Sequence, residues 1–88
     1  MSIIKSNMRP QKLTFIPAQC RAARALLNWS QVELAAAAAV SKQTLVDFER
    51  GARQPYPRTL ADIVAALEAG GVEFTNGDMP GVRLKKKR

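Results

Sequence analysis

Lys42, Gln43 and Asp47 form a set of polar side chains within five residues of one another. Their chemistry matches the hydrogen-bonding edges of base pairs. Lysine can donate to guanine O6 and N7, glutamine can bond adenine through two contacts, and aspartate can accept from cytosine N4. Asp47 can equally orient Lys42 or Gln43. Val46 offers its methyl groups to a thymine methyl, or is a simple exposed spacer. Such groups act only if a rigid element presents them together.

The local sequence supplies that element. Ser30 is an N-cap whose hydroxyl can accept an orphan backbone N–H, and Glu33, three residues on, completes a capping box. Leu34, Ala35 and Ala38 follow on one helical face. Val40 and Ser41 break the run, and Ser41 caps a second helix opened by Lys42, Gln43 and Thr44. Leu45 and Phe48 give that helix a buried side, and Gly51 stops it. Two short helices across a tight turn make a helix-turn-helix, with long polar side chains at the start of its second helix, where a DNA reader needs them. The run Ala35–Ala39 favours helix and lets helices approach closely.

The flanking segments read as supports. A first helix starts near Pro17, since proline suits the first helical position. Ile16 staples its start, Ala22, Ala23, Leu26 and Leu27 form its apolar stripe, and Asn28 ends it in a left-handed conformation. Trp29 packs under the next helix as core filler. Arg53-Gln54-Pro55-Tyr56-Pro57-Arg58 is a loop because of its two prolines. A last helix runs from Arg58 or Thr59 to Ala69, with Leu60, Ile63, Val64 and Leu67 facing the core and Gly70-Gly71 stopping it. The period then changes to two. Val72, Phe74, Val82 and Leu84 share one face of a β-hairpin, with Asn76-Gly77 and Pro80-Gly81 between its strands. Two strands alone are marginal in water. Their apolar face must therefore meet the helices, a second subunit, or both. The organisation expected is a flexible arm over 1–14, a helical domain over 15–71, a β segment over 72–85 and a basic tail over 86–88.

Composition narrows the function. The chain has 88 residues, enough for one domain, and carries 14 Lys and Arg against 7 Asp and Glu. The formal net charge of +7 favours a polyanionic partner. One cysteine, Cys20, allows no intramolecular disulfide and no cysteine metal cluster, and there is no histidine. No paired carboxylates, activated nucleophile or phosphate-cradling loop is evident, so an enzyme is a poor reading and no cofactor is expected. No apolar run is long enough to span a bilayer, and MSIIKSNMRPQKLT lacks the apolar core of a signal peptide. A cytoplasmic protein with a reduced thiol is the simplest expectation.

Residues 17–68, about three fifths of the chain, resemble the Cro/C1-type (XRE-like) helix-turn-helix family of phage and bacterial regulators. The resemblance is carried by Arg24, Ser30-Gln31, Glu33-Leu34-Ala35, Val40-Ser41, Thr44 and Glu49-Arg50-Gly51. It implies a mainly α fold, a lambda-repressor-like bundle of about four helices, here followed by the hairpin. It also implies that Lys42 and Gln43, with Val46 and Asp47 further along, enter the major groove. Gln31 resembles the family glutamine that meets a phosphate at a helix start. Ser30, Thr44, Arg50 and Arg53 are further phosphate candidates. Arg24 and Glu49 match a pair that bridges the first helix to the recognition helix, a structural role. The chain departs from the family at Asp47, where longer neutral side chains are usual, and at Ala39, where glycine is usual. Either Ala39 bears a left-handed conformation or the turn has another shape.

These readings lead to a sequence-specific DNA-binding transcription regulator, a repressor or autoregulator. It would bind a palindromic operator as a homodimer, with Val72, Phe74, Val82 and Leu84 as the dimerisation face. The alternative is a protein-interaction module of the same fold, acting as an antitoxin or antiactivator.

Overall fold

A computed structural model describes residues 15–76 and 79–85. The expected arm over 1–14, the tail over 86–88 and Gly77 of the hairpin turn lie outside the described residues. Among the described residues the chain forms helices α1 (Pro17–Leu27), α2 (Gln31–Ala38), α3 (Lys42–Glu49) and α4 (Pro57–Ala69), then strands β1 (Val72–Thr75) and β2 (Gly81–Leu84). The strands pair antiparallel, with Val72 opposite Leu84 and Phe74 opposite Val82.

Both motif helices start as their sequences predict. Ser30 Oγ accepts from the Glu33 N–H at 3.0 Å, and Glu33 Oε1 accepts from the Ser30 N–H at 2.7 Å. Ser41 Oγ accepts from the Thr44 N–H at 3.0 Å. The turn between them is left-handed at Ala39, with φ 58°. Ala39 therefore carries the strain that glycine would avoid, about 1–2 kcal/mol for an L-residue. Asn28 ends α1 at φ 60°. Pro57, not Arg58 or Thr59, is the first residue of α4; its fixed φ and missing N–H suit that position.

Leu34, Leu45, Phe48, Ile63, Leu67 and Val72 are buried almost completely and form one core with Cys20, Ala23, Ala35 and Ala38. Trp29 packs against this core, as expected. A Cβ on Gly70 would come within 2.9 Å of the Trp29 ring and 2.8 Å of Leu27 Cδ1. Gly70 is thus a close-approach residue as well as a helix end.

The start and face of α1 differ from expectation. Phe15, not Ile16, is the buried anchor. Its ring stacks on Phe48 at 5.5 Å between centroids and meets Phe74 edge-on at 5.3 Å. Ile16 becomes the N-cap residue. Ala22 and Leu26 are exposed, Leu26 at 41 %, while Gln19 and Cys20 are buried. A polar residue lies inside because the hairpin satisfies it. Gln19 Nε2 donates to the carbonyls of Thr75 and Gly81, each at 3.1 Å, and Gln19 Oε1 accepts from the Ile16 N–H at 3.1 Å. Buried amides are tolerated when bonded in this way.

The hairpin therefore lies on the helices. Val72 is in the core, Phe74 and Val82 pack against it, and Leu84 remains 51 % exposed. The Lys85 N–H donates to the Gly71 carbonyl at 2.7 Å and extends the ladder by one pair.

Candidate nucleic-acid interface

The inner side of α3 is Leu45, Phe48 and Glu49, all buried. Apolar packing holds the first two. Glu49 needs stronger partners, because an unpaired buried carboxylate is costly. Arg24 on α1 provides them: its Nε lies 2.8 Å from Glu49 Oε2, and its Nη2 lies 2.8 Å from Oε1. Arg24 Nη1 also donates to the Trp29 carbonyl at 3.1 Å, so one guanidinium ties α1, the α1–α2 turn and α3. Cys20 Sγ donates to Glu49 Oε2 at 3.0 Å, Gln31 Nε2 donates to Oε1 at 3.0 Å, and Arg21 Nη1 donates to the Glu49 carbonyl.

These contacts set the local charge states. Burial alone would raise the Glu49 carboxyl. The hydrogen bonds from Arg24, Cys20 and Gln31 and the Arg24 charge outweigh it and hold the carboxyl below the ordinary glutamate value. The Glu49 hydrogen bond pushes Arg24 above its usual value. Burial pushes the Cys20 thiol far up, and the neighbouring Glu49 carboxylate adds to the shift. Arg24 and Glu49 thus tie α1 to α3.

The outer side of α3 is different. Ser41, Lys42, Gln43 and Arg50 are exposed, and Thr44, Val46 and Asp47 are half-buried. Gln43 Nε2 donates to Asp47 Oδ1 at 2.9 Å, one helical turn away. Arg50 Nη2 donates to the same oxygen at 3.3 Å. One Asp47 oxygen thus receives both Gln43 and Arg50.

Thr44 joins this face to the following loop. Ser41 Oγ donates to Thr44 Oγ1 at 2.8 Å, and Arg53 Nη1 reaches the same oxygen at 3.4 Å. Thr44, Arg53, Gln54, Pro55, Tyr56 and Thr59 line an open cleft beside the start of α3. From this stretch the sequence offered Thr44 and Arg53 as phosphate contacts and Thr59 as a helix start, and Tyr56 had no role. The signal was present, since Tyr56 stands between Arg53 and Arg58 and is 83 % exposed. A phenol at that position can donate to a phosphate oxygen.

The structure divides the expected phosphate contacts. Arg50, Arg53 and Ser30 are exposed. Ser30 also serves as a cap, as noted above. The Gln31 amide is half-buried and turns inward to Glu49. The expected dimer residues lie apart from this set, on the hairpin against α1. Among the described residues there is no group of three or more His, Cys, Asp or Glu that could hold a metal ion. No described helix is long and apolar enough to cross a membrane.

The profile of the helix-turn-helix family matches residues 21–74, more than half of the chain. This span starts within α1, contains α2, α3 and α4, and ends in β1. No curated protein matches the chain.

Proposed function

The chain belongs to the Cro/C1-type helix-turn-helix family of DNA-binding regulators, and from this premise we propose that it is a sequence-specific transcription regulator reading its operator with α3. The observation that carries this reading is the two-sidedness of α3. Leu45, Phe48 and Glu49 lock one side into the protein, Gln43 and Asp47 stand together on the other, and Lys42 is exposed at the helix start. A reader needs that combination, because base discrimination requires donors and acceptors held in a fixed position. Lys42, Gln43 and Val46 take the base edges in this account, and Asp47 acts on the readout through Gln43. Ser30, Thr44, Arg50, Arg53 and Tyr56 hold the flanking phosphates, and Gln31, whose amide bonds Glu49, has a second N–H left to offer them.

Regulation then follows from occupancy: a protein seated on a promoter blocks it, as a repressor or autoregulator. One reading helix touches few base pairs. A two-fold homodimer on a palindromic operator spaces two such helices by about 34–36 Å and gains affinity by linkage. Val72, Phe74 and Val82 already serve the protomer's own core, so Leu84, exposed at the end of β2, is the part of the hairpin left for a partner copy. The protein would act in the cytoplasm, with the DNA.

Binding to its own upstream DNA across a salt series tests the proposal. About 8–12 phosphates engaged by a dimer give a slope of log K against log salt near −7 to −11. A flat salt response would favour a protein-interaction module, an antitoxin or antiactivator, over a DNA reader.

A further inference from the structure

The geometry points to Asp47 as a specificity-determining residue: its carboxylate holds the Gln43 side-chain amide in the orientation that reads adenine. This inference rests on the DNA-reading role proposed for α3. Gln43 and Asp47 are four residues apart on one helix, where side chains are neighbours. Gln43 Nε2 donates to Asp47 Oδ1 at 2.9 Å. An ionised carboxylate can only accept, so the amide must turn its NH2 group toward it. The reversed amide would set its oxygen against the carboxylate oxygen.

One N–H of Gln43 is therefore engaged within the protein. What remains is Oε1 and the second N–H, one acceptor beside one donor. Adenine presents the complement in the major groove, the N6 amino donor beside the N7 acceptor. Guanine presents two acceptors, O6 and N7, and would place O6 against Oε1. A free glutamine can swing its NH2 group toward both acceptors. A glutamine held by Asp47 must give up its carboxylate bond to do so. The Asp47 charge itself also disfavours an approaching O6, whereas N7 is common to both purines and does not discriminate.

Arg50 makes this arrangement tolerable near a polyanion. Its Nη2 donates to the same Asp47 oxygen at 3.3 Å and offsets the negative charge. Asp47 still lowers attraction to DNA of any sequence. It thus trades general affinity for discrimination, as a repulsive element does.

The test uses the full chain and a pool of duplexes with a randomised centre. Bound duplexes are recovered and sequenced, and each position of the recovered site is then changed singly and titrated. The wild-type protein should select adenine at one position per half-site, with a penalty for guanine of roughly fivefold to a hundredfold. Asp47→Ala should shrink that penalty at this position alone and raise affinity for random DNA. Asp47→Asn, whose amide oxygen can still accept from Gln43, should keep the adenine preference. In a Gln43→Ala background, Asp47→Ala should leave the base profile unchanged. Helical content and melting of each variant separate these outcomes from unfolding. An intact guanine penalty in Asp47→Ala, or an equal loss at every position, would overturn the role of Asp47 while leaving α3 as the reader. A wild-type protein that recovers no preferred sequence would overturn the DNA-reading proposal as well.

Discussion

Arg24 grips Glu49 through two parallel contacts, Nε to Oε2 and Nη2 to Oε1, each 2.8 Å, and so fixes α3 to α1. Glu49 is 3 % exposed and Arg24 20 %. Replacing Arg24 with Met leaves the carboxylate with Cys20 and Gln31 but without a compensating charge. The expected loss is about 3–5 kcal/mol of folding free energy, measured by urea unfolding. A loss below about 1 kcal/mol would show that the pair behaves as a surface ion pair.

The same pair sets a pH dependence. The folded protein holds the Glu49 carboxyl below its ordinary value, so folding favours the ionised form. The contribution to stability is fully present above the unfolded glutamate value, about 4.3. It is lost as pH falls through the lower folded value. Melting temperature should therefore drop as pH is lowered below about 4.3. In Glu49→Gln that component should be missing, and the variant should be less stable at neutral pH. A Glu49→Gln profile parallel to that of the wild type would exclude Glu49 as its source.

Cys20 should be chemically silent while the protein is folded. It is 0 % exposed, and burial beside Glu49 keeps the thiol protonated. The thiolate is the reactive form. Labelling by iodoacetamide at neutral pH should therefore follow the rate of unfolding and accelerate sharply in urea. Labelling of the native protein at the rate of a free thiol would contradict the buried Cys20–Glu49 contact.

Ala39 offers a gain. At φ 58° it bears a conformation that glycine adopts without penalty. Ala39→Gly should raise stability by up to about 1 kcal/mol, after the entropy glycine loses on folding. A lower melting temperature for Ala39→Gly would argue for a right-handed, helical Ala39.

The residues that were legible in the sequence are those whose roles are local. Ser30 with Glu33, Ser41 with Thr44, Asn28 and the apolar spacing of α4 depend on neighbours within four residues. Each stands where the pattern placed it. The face of α1 was not legible. Gln19 is buried because two hairpin carbonyls, 56 and 62 residues away, receive its amide. No helical pattern announces a partner at that distance. Phe15 displaced Ile16 as the anchor for a similar reason, since its burial depends on Phe48 and Phe74. The exposed polar side of α3 followed from the spacing of its residues, but the bond that turns Gln43 toward Asp47 depends on side-chain rotamers that no residue pattern fixes. Gln31 points the same way: its position at a helix start suggested a phosphate, and the structure shows it bonded to Glu49.

The hairpin face carries the assembly prediction. Leu84 is 51 % exposed on the strand that borders the α1 groove, so Leu84→Glu should not disturb the protomer's own core. It should shift a dimer toward monomer in light scattering, with a sharp loss of affinity for a two-half-site operator. A variant that remains dimeric would move the interface away from the hairpin.

The most direct test of α3 as the reader compares Gln43→Ala with the wild-type protein on two duplexes, the site recovered from a randomised pool and an unselected sequence of equal length. Gln43→Ala should cost about 1–3 kcal/mol on the recovered site and much less on the unselected one. Equal losses on both duplexes would contradict base reading by Gln43 and leave α3 a general DNA contact.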